Sequence, residues 1–441
     1  MTHAFVLSSR SRQDIGQSLH EMIKELYPLC RSITGNGVRQ SLQILKRSIP
    51  LEVREVPTGT QIFDWTVPKE WNITDAYIKN ANGERIVDFN RSNLHVMSYS
   101  VPVKKKMSLA ELRPHLFSLP EQPEWVPHKT SYYNENWGFS LSHRQLQSME
   151  EGEYEVCIDS TLKDGALTYG EYVLPGSGQD QVLISTHICH PSLCNDNLSG
   201  IVVSTALAQA LADRPRRYSY RFLFIPTHIG SITWLALHEH VVPKIKHGLV
   251  LVGLGDSGSV TYKRSRQGQA EIDRAAIQVL KDSQHPYKVV DFFPFGYDER
   301  QYCSPGFDLP VGSLMRTPHG QFPEYHTSAD NLEFVKPAAL ADSFQKCLAI
   351  VEVLERNKTY VNQNPKCEPR LGPRGLYRTT GGHTGSGPIK EMPVLWTLNL
   401  SDGAHSLLDI AERSGLPFSD IAQAAGALEG CGLLREKTRS L

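Results

Sequence analysis

Two histidines, two cysteines and an aspartate crowd the segment ISTHICHPSLCNDNLSG, residues 184–200. The apolar run before His187 predicts a buried strand, and Asn195 to Ser199 supply residues that favour a helix start. His187 and Asp196 would then lie on one loop at the carboxyl end of a strand. A neutral imidazole and a carboxylate are ligands that zinc accepts. The alternative is that His187 is a core histidine and Asp196 only a helix cap.

Polar side chains also follow other predicted strands. FLFIPTHIG places Thr227 and His228 at a strand end, and LVLVGLGDSG places Asp256 at another. The segment FPEYHTSADN follows the strand LPVGSLM and contains Glu324 and His326. Because several separate strand ends present potential ligands, the pattern favours a metal site over purely structural roles for these residues.

Hydrophobic patterning predicts the elements that position these side chains. The runs QVLIST, YRFLFIP, GLVLVG and LPVGSLM are typical of buried strands. Helices are predicted between them and after the last one, at 197–212, 230–240, 268–283 and 337–356. Strands that alternate with helices predict an α/β fold with a mostly parallel sheet covered on both faces. Such sheets place their sites outside the carboxyl ends of the strands.

The regions before and after these strands and helices show other sequence patterns. Residues 14–49 carry two helical apolar stripes joined by a turn. From about 51 to 175, short alternating runs such as LEVREV, LHVMSYS and YEVCIDS predict a β-rich section. Residues 362–388 are rich in Pro and Gly, as linkers are. Three short helical patterns after them predict a helix-turn-helix or winged-helix module.

Length and composition exclude several classes of protein. A chain of 441 residues is too long for one ordinary domain, and its net charge of -1 steers it neither to nucleic acid nor to an anionic membrane. Its apolar runs are too short for a spanning helix or for a signal-peptide core. The eight cysteines are scattered without a CxxC pair. We therefore expect a cytoplasmic protein with reduced thiols and no membrane partner.

The order of the candidate residues resembles the co-catalytic zinc aminopeptidase superfamily. His187 comes first, Asp196 precedes an Asn-x-Ser-Gly helix start, and Asp256 and His326 follow later strands. More closely, RSITGNGVRQSL, FDWTVPKEWNI, STHICHPSLCNDNLSG, GYDERQYCSPG and PEYHTSADN resemble a bacterial family of aminopeptidase-like proteins. These motifs span nearly the whole chain. That family carries a β-rich insertion and a C-terminal winged helix, and is often described with polysaccharide biosynthesis.

The resemblance implies an α/β fold of zinc-exopeptidase-like type. It consists of a doubly wound mixed sheet, an inserted β-rich domain and a C-terminal winged-helix-like domain. The expected parts are an N-terminal helical part of the peptidase-like domain, the insertion, the metal-binding aminopeptidase-like domain, a linker and the winged-helix-like domain. Their expected boundaries are 1–55, 56–160, 161–361, 362–388 and 389–441.

The resemblance also implies a ligand set. It assigns metal binding to His187, Asp196, Asp256 and His326, with Asp196 bridging two ions. The expected cofactor is zinc, as one or two ions, with iron or manganese as the alternative. Two metals roughly 3.5–4 Å apart would polarise a scissile carbonyl and activate a bridging water.

The chain departs from the peptidases at one position. Where they have a Glu-Glu pair, this sequence has Thr227 and His228. Because an imidazole also binds zinc, His228 is a candidate metal ligand in place of the carboxylate. The hydroxyl of Thr227 does not readily accept a proton near neutrality, so it cannot replace the general base. The candidate catalytic bases are Glu324, Asp298 and Glu299.

Further side chains near this edge are candidates for substrate binding. His190 either contacts substrate and supports the ligands or has a structural role. Arg300 and Arg264 are the candidate clamps for a substrate carboxylate, which a guanidinium matches bidentately; the alternative is a solvated surface. Cys189 and Cys194 are expected to pack as small apolar residues.

The tail is expected to bind protein. Its third helical pattern, SDIAQAAGALEG, has no Lys or Arg, whereas a DNA-reading helix carries basic residues. We therefore expect an interaction or dimerisation module in a homo-oligomer, and no DNA binding.

The leading hypothesis is a metal-dependent hydrolase of the aminopeptidase type. It would cleave an amide bond in a small-molecule or short peptide substrate, peptide-like or aminoacyl in nature. One alternative is a diverged amidase or transferase of polysaccharide or secondary metabolism, and another is a non-catalytic scaffold that uses the winged-helix-like module. The departure at Thr227 favours the alternatives. The retained His187, Asp196 and His326 favour catalysis.

Overall fold

The computed structural model describes residues 11–376 and 390–437. By its internal contacts the chain forms two compact units, one of Met1–Gly268 with Lys288–Gln345 and one of Gln269–Tyr287 with Lys346–Leu441. The predicted domain boundaries are not tested by this division and stay predictions. The apolar run near the N-terminus and much of the predicted linker lie outside the described residues.

The described helices follow one another in chain order. They are α1 (Arg12–Leu26), α2 (Asn36–Lys46), α3 (Leu109–Leu112), α4 (His143–Gln147), α5 (Gly200–Ala212), α6 (Ile229–Leu237), α7 (Glu271–Asp282), α8 (Glu299–Tyr302), α9 (Pro337–Arg356), α10 (Glu391–Leu400), α11 (Leu407–Ser414) and α12 (Phe418–Gly430).

The described strands are numbered in the same way. They are β1 (Glu52–Pro57), β2 (Gln61–Ile62), β3 (Trp65–Thr66), β4 (Glu70–Lys79), β5 (Arg85–Asp88), β6 (Val103–Ser108), β7 (Leu116–Phe117), β8 (Phe139–Ser140), β9 (Glu153–Lys163), β10 (Ala166–Leu174), β11 (Gln181–His187), β12 (Ser219–Ile225), β13 (Ile245–Leu251), β14 (Val260–Lys263), β15 (Tyr287–Val290), β16 (Val311–Met315), β17 (Thr359–Asn362), β18 (Asp402–Ser406) and β19 (Leu434–Glu436).

A mixed eight-stranded sheet, in the order β1-β10-β12-β11-β13-β16-β14-β15, forms the centre of the first unit. The four apolar runs of the sequence form its parallel core, β12, β11, β13 and β16. Strands β1, β10 and β14 pair antiparallel toward the edges. The central strands are buried almost throughout, as parallel strands covered on both faces must be.

Helix α5 packs directly on the centre of this sheet, against β11, β12 and β13. It is apolar on all sides and almost wholly buried. At its first residue, Gly200, a Cβ atom would lie 2.4 Å from the carbonyl oxygen of Leu251. Only glycine fits there, and its close approach to β13 fixes where the loop before α5 must end.

The β-rich section forms a four-stranded antiparallel sheet, in the order β5-β4-β9-β6. Strand β9 turns into β10, so consecutive strands belong to the small and the large sheet. LHVMSYS is not a continuous strand: it begins with a 3₁₀ turn, Asn93–His95, and continues through isolated bridges. Its polar side chains account for this, because Asn93 accepts from the Ser192 amide and the His95 ring contacts the Ser140 carbonyl.

An ion pair holds the point where the two sheets meet. Arg39 donates from both terminal nitrogens to Glu70, each at 2.7 Å, and its Nε donates to Glu55. Glu70 also accepts from the backbone amide of Ala166, the first residue of β10. The hydrogen bonds from Arg39 lower the pKa of Glu70 to about 2.

The second unit contains a small winged-helix arrangement. Strands β18, β17 and β19 form an antiparallel sheet, and the three helical patterns of the tail fold as α10, α11 and α12. Helix α7 belongs to this unit: Arg274 pairs with Asp409 and Glu412. Asp282 accepts a hydrogen bond from the backbone amide of Phe418. The predicted winged-helix-like fold is confirmed.

Within residues 11–376 and 390–437, no helix has the length and apolar character needed to cross a bilayer.

Replacing Glu70 by glutamine should destabilise the first unit. Arg39 then loses a charged bidentate partner, at a cost of about 1.5–3 kcal/mol at neutral pH. Because the folded pKa of Glu70 is lowered, its contribution is complete above the ordinary pKa of about 4.3 and disappears as pH falls toward about 2. Denaturant melts at pH 7 and pH 3 check this, and the difference between wild type and variant should shrink at the lower pH.

Glu52→Gln is the matched control. Glu52 pairs with Arg54 on an exposed edge, where an ion pair contributes little. Equal destabilisation by both variants would contradict a special role for the Arg39–Glu70 pair.

Candidate metal centre

His187 and Asp196 lie at the two ends of one loop. His187 is the last residue of β11, and the chain then passes through a short π-helical turn, Cys194–Ser199, into α5. Asp196 and Asn197 leave helical geometry within this turn, and the peptide bond between them is cis. Both His187 and Asp196 are 1% exposed. The loop therefore places an imidazole and a carboxylate in the interior at the carboxyl end of the sheet.

Asp196 is the centre of a histidine cluster. Its Oδ1 lies 2.9 Å from Nε2 of His187, and its Oδ2 lies 2.9 Å from Nε2 of His326. Nε2 of His190 is 3.8 Å from the same Oδ2. The ligand-type atoms of His187, His190 and Asp196 all lie within 4.8 Å of one another, as a metal ion would require. The structure thus brings together His187, Asp196 and His326, and adds His190.

His128 is a fourth imidazole at this cluster. Its ring centroid lies 5.6 Å from that of His190 and 5.3 Å from that of His326. Its backbone amide donates to the carbonyl of His326 at 2.7 Å, beside a bridge between Pro127 and Thr327. The sequence offers no motif for it, because His128 comes from the β-rich section and reaches the cluster only through these long-range contacts.

Electrostatics favour a charged Asp196 near two neutral imidazoles, those of His128 and His190. Burial by itself raises the pKa of Asp196, but His190 and His187 and two hydrogen bonds outweigh it and hold that pKa well below its usual range. Burial lowers the pKa of His128 to about 3 and holds the pKa of His190 well below its ordinary value. Neutral imidazole and ionised carboxylate are the forms that bind metal.

Asp330 fixes the backbone of the loop. Its carboxylate accepts from the amides of Asn195, at 2.5 Å, and Asp196, at 2.9 Å. Its carbonyl accepts from the amide of Cys194. Burial raises the pKa of Asp330 to about 8. Asp330 is therefore a positioning residue for the turn that carries Asp196.

Asp256 lies outside the cluster. Its carboxylate accepts from the Asn195 side chain at 3.1 Å, from the Gly258 amide at 2.7 Å, and from the Thr317 amide and hydroxyl at 3.2 and 2.6 Å. These bonds occupy both oxygens within the protein. The resemblance implies a metal ligand here. In the structure these hydrogen bonds link the Asp256 carboxylate to the loops around Asn195, and its role as a metal ligand stays a prediction.

His228 forms a second polar group with Asp298. Nδ1 of His228 lies 3.5 Å from Oδ1 of Asp298, which also accepts from Thr227 at 3.2 Å and from Ser231 at 2.9 Å. Oδ2 of Asp298 is buried without a hydrogen-bond partner. The Thr227 amide donates to the sulfur of Cys189, next to His190, so the two polar groups are neighbours.

The other two candidate bases lie elsewhere. Glu299 is fully buried and accepts from Lys263 at 2.9 Å and from the Tyr297 amide at 3.3 Å. Lys263 also donates to the Phe295 carbonyl, so this ion pair holds the loop before α8. Glu324 is half-buried and does not line the cavity that opens beside His190 and His326.

A cavity of about 640 Å³ opens beside the histidines. Four of its lining residues are imidazoles near Asp196 or Asp298, namely His128, His190, His228 and His326. Its aromatic lining residues are Trp65, Tyr132, Tyr133, Phe295, Tyr297 and Tyr325. Cavities of this size with apolar walls and few polar groups are typical binding sites for small molecules.

The two arginines predicted to bind a substrate carboxylate lie in different places. Arg300 lines the cavity. Arg264 donates to the Gly268 carbonyl, pairs with Asp291 and does not line the cavity. Only Arg300 is therefore positioned to contact a molecule bound there.

The two cysteines of the loop are free and buried. Burial raises the pKa of both thiols. A thiol whose pKa is raised is a poor nucleophile, so neither Cys189 nor Cys194 has the character of a catalytic cysteine.

Comparison with known proteins places this arrangement in a family. The family model described as "Domain of unknown function (DUF4910)" matches residues 20–357. The chain belongs to this family. A second model, described as winged helix-turn-helix, matches residues 358–436.

A relative from Clostridium acetobutylicum is 52% identical over 426 residues, which is 97% of this chain and 98% of the relative. Its name describes a candidate polysaccharide biosynthesis protein with an aminopeptidase-like domain. A crystal structure of a candidate peptidase from the same organism matches with a TM-score of 0.92 and 50% identity, over 97% of each chain. The resemblance to aminopeptidase-like proteins is confirmed.

More distant structures share the fold. BSAP, a zinc aminopeptidase from Bacillus subtilis, matches with a TM-score of 0.57 and 12% identity, over 78% of this chain and 96% of that one. A peptidase M28 precursor from Shewanella amazonensis matches with a TM-score of 0.54 and 12% identity, over the same shares. The zinc-exopeptidase-like fold class predicted from the sequence is confirmed.

Zinc titration should show that zinc affinity depends on the histidines around Asp196 and not on Asp256. His187→Ala removes a ligand and should weaken zinc binding by more than the 10–100-fold that loss of a supporting residue costs. Asp256→Asn should keep near wild-type zinc affinity but unfold at a lower temperature, because it loses internal hydrogen bonds. Calorimetry with a competing chelator measures the first effect, and circular dichroism melts measure the second. An equal loss of zinc affinity in both variants would make Asp256 a ligand.

Proposed function

We propose that this protein is a metal-dependent hydrolase of the aminopeptidase type that cleaves an amide bond in a small peptide-like or aminoacyl substrate. The observation that carries this proposal is the convergence of His187, His190 and His326 on Asp196, beside a cavity at the carboxyl end of the sheet. Sheets of this type place their sites there.

The donor set fits zinc. The imidazole nitrogens of His187, His190 and His326 and the carboxylate of Asp196 are ligands that zinc accepts, and iron or manganese is the alternative. The two oxygens of Asp196 face different histidines, which supports a carboxylate able to serve one ion or two. When bound, such an ion acts as a Lewis acid on a carbonyl group and lowers the pKa of a water molecule.

The proton-accepting role falls to the His228–Asp298 pair. Glu299 is engaged by Lys263, and Glu324 does not line the cavity. His228 does line it, and Asp298 lies within 3.5 Å of its Nδ1. A buried carboxylate behind an imidazole holds the ring and stabilises it when it takes up a proton. His228 therefore acts as the base and Asp298 positions it, in place of the Glu-Glu pair.

A second candidate is a diverged amidase or transferase of polysaccharide or secondary metabolism. Two observations favour it over ordinary peptide hydrolysis: Thr227 and His228 stand where peptidases have carboxylates, and the Clostridium relative is named for polysaccharide biosynthesis. It uses the same cluster on a different amide. A non-catalytic scaffold would not need the His–Asp cluster.

Partners and compartment follow from the remaining features. We propose a homo-oligomer in the cytoplasm that uses the winged-helix unit for protein contacts. The eight free cysteines support a reducing compartment. Helix α12 carries Asp420 and Glu429 and no basic residue, which opposes binding to phosphates.

Activity assays on the zinc-loaded protein test the hydrolase proposal. Against a panel of aminoacyl and N-acyl amides, Asp298→Asn should lower kcat/KM by about 10²-fold or more, the usual contribution of acid–base catalysis. Zinc content should stay unchanged. Glu324→Gln is the matched control and should retain activity. Hydrolysis that depends on Glu324 and not on Asp298 would contradict the assignment, and a zinc-loaded protein inactive on every amide would contradict the hydrolase proposal.

Fluorescence anisotropy with labelled double-stranded DNA tests whether the C-terminal winged-helix unit binds DNA. At low salt, where phosphate contacts are strongest, we expect no binding by the full-length protein, because α12 lacks cations. Light scattering under the same conditions should show more than one copy per particle. Salt-dependent DNA binding, or a monomer, would contradict the corresponding proposal.

A further inference from the structure

The wall of the cavity is basic. Among the described residues that line it are Lys129 and Arg300, and none is an aspartate or a glutamate. The acidic groups close to it have partners: both oxygens of Asp196 face histidines, and Oδ1 of Asp298 accepts from Thr227 and Ser231, while its Oδ2 is buried without a hydrogen-bond partner. The described lining itself therefore offers cations and imidazoles to a ligand, and no aspartate or glutamate.

This lining bears on how a substrate would be recognised. A free amino terminus is an ammonium group with three donors and no acceptor, so it needs oxygen acceptors wherever water is removed. Burying an ammonium without a paired acceptor is strongly unfavourable, because nothing replaces its lost hydration. A peptide with a free amino terminus would meet Arg300 or Lys129, which repel it. Thr227 and Gln301 supply neutral oxygen acceptors in the lining, but no carboxylate of the described lining balances the charge of the ammonium. The site is therefore poorly suited to the group that defines an aminopeptidase substrate.

Arg300 is ready to bind an anion. It lies on α8, and its Nε is buried without a hydrogen-bond partner. Its guanidinium carbon lies 5.8 Å from the centroid of the Phe295 ring. None of the ion pairs found among the described residues involves Arg300, whereas Arg264 pairs with Asp291 and Arg266 with Asp308. A planar guanidinium without an internal partner matches a carboxylate bidentately.

Exposed aromatic rings stand at the same cavity. Tyr132 is 58% exposed and Phe295 is 62% exposed, although both line it. Tyr132 also has a φ of 50°, in the left-handed region that aromatic residues rarely adopt. The rings would cover a flat apolar group that neighbours the anion.

We propose that the substrate of this site is an N-acyl amino acid, an amide whose free carboxylate is bound by Arg300, and not a peptide with a free amino terminus. This rests on the proposed hydrolase function and narrows its substrate. Hydrolysis would break the amide C–N bond: the acyl carbon would take the hydroxyl of one water molecule, and the nitrogen would take its remaining proton and leave as an amine. The products are a carboxylic acid and an amino acid whose carboxylate Arg300 holds.

Calorimetric titrations of the zinc-loaded protein with three matched probes test this proposal. N-acetyl-L-tyrosine carries the carboxylate, N-acetyl-L-tyrosinamide is neutral, and L-tyrosinamide carries a free amine. We expect the first to bind at least about tenfold more tightly than the second, the difference expected for one charge-assisted bidentate contact, and the third to bind most weakly. Equal or tighter binding of L-tyrosinamide overturns the proposal.

Variants of Arg300 test whether this residue binds the carboxylate. Arg300→Gln should weaken binding of N-acetyl-L-tyrosine at least about tenfold, and Arg300→Lys should weaken it less, because an ammonium keeps the charge without the bidentate geometry. Arg266→Gln, outside the cavity, should change nothing. A carboxylate that bound only to zinc would keep its affinity in Arg300→Gln, and that result overturns the proposal. If Arg300→Gln does not fold, Arg300→Lys and the probe series on the wild-type protein decide.

These binding results are independent of turnover. Hydrolysis of free-amine amides with no dependence on Arg300 would leave the hydrolase function standing and overturn this substrate class. Arg300-dependent binding of N-acetyl-L-tyrosine without hydrolysis of any amide would support the substrate class and contradict the hydrolase.

Discussion

Asp196 is a buried carboxylate around which three imidazoles converge, and much of the first unit is arranged to hold it there. An ionised carboxylate in a protein interior needs partners, because the loss of hydration costs several kcal/mol. His187 and His326 meet its two oxygens at 2.9 Å each. Asp330 holds the backbone on its amino-terminal side, and Gly200 lets α5 approach β13 on the other. The carboxylate is thus fixed by the sheet, the helix and the loop after β16 together.

The chemistry proposed for the site follows from this arrangement and from its neighbour. The cluster around Asp196 has the donors for a metal ion, while Asp298 holds His228 in the adjoining wall of the cavity. In the proposed function, the residues around Asp196 would bind the metal ion, and His228 with Asp298 would transfer a proton. The cations of the lining would select among amides, and Arg300, whose Nε is buried without a hydrogen-bond partner among the described residues, would bind the substrate carboxylate. BSAP, a zinc aminopeptidase, shares the fold, whereas the described lining of this cavity contains no aspartate or glutamate that would balance the charge of an amino-terminal ammonium.

Local patterns in the sequence predicted much of the fold. The central strands are continuous apolar runs, and the helix expected at 337–356 has those bounds as α9, because strong periodicity over many residues leaves little ambiguity. The loop of His187 and Asp196 was also recognisable, since strand, turn and helix are contiguous there. His128 was not, because its contact with His326 joins positions far apart in the chain. The hydrogen bonds of Asp256 and Glu299 could not be predicted for the same reason. Their partners, Thr317 and Lys263, are distant in sequence.

X-ray absorption spectroscopy of the zinc-loaded protein identifies the atoms that bind the metal at Asp196. We expect a first shell of nitrogen and oxygen at about 2.0–2.2 Å, with the outer scattering of imidazole and no sulfur. A sulfur shell at about 2.3 Å would assign Cys189 or Cys194 to the metal and contradict a site built from histidines and Asp196, as would a protein that binds no zinc.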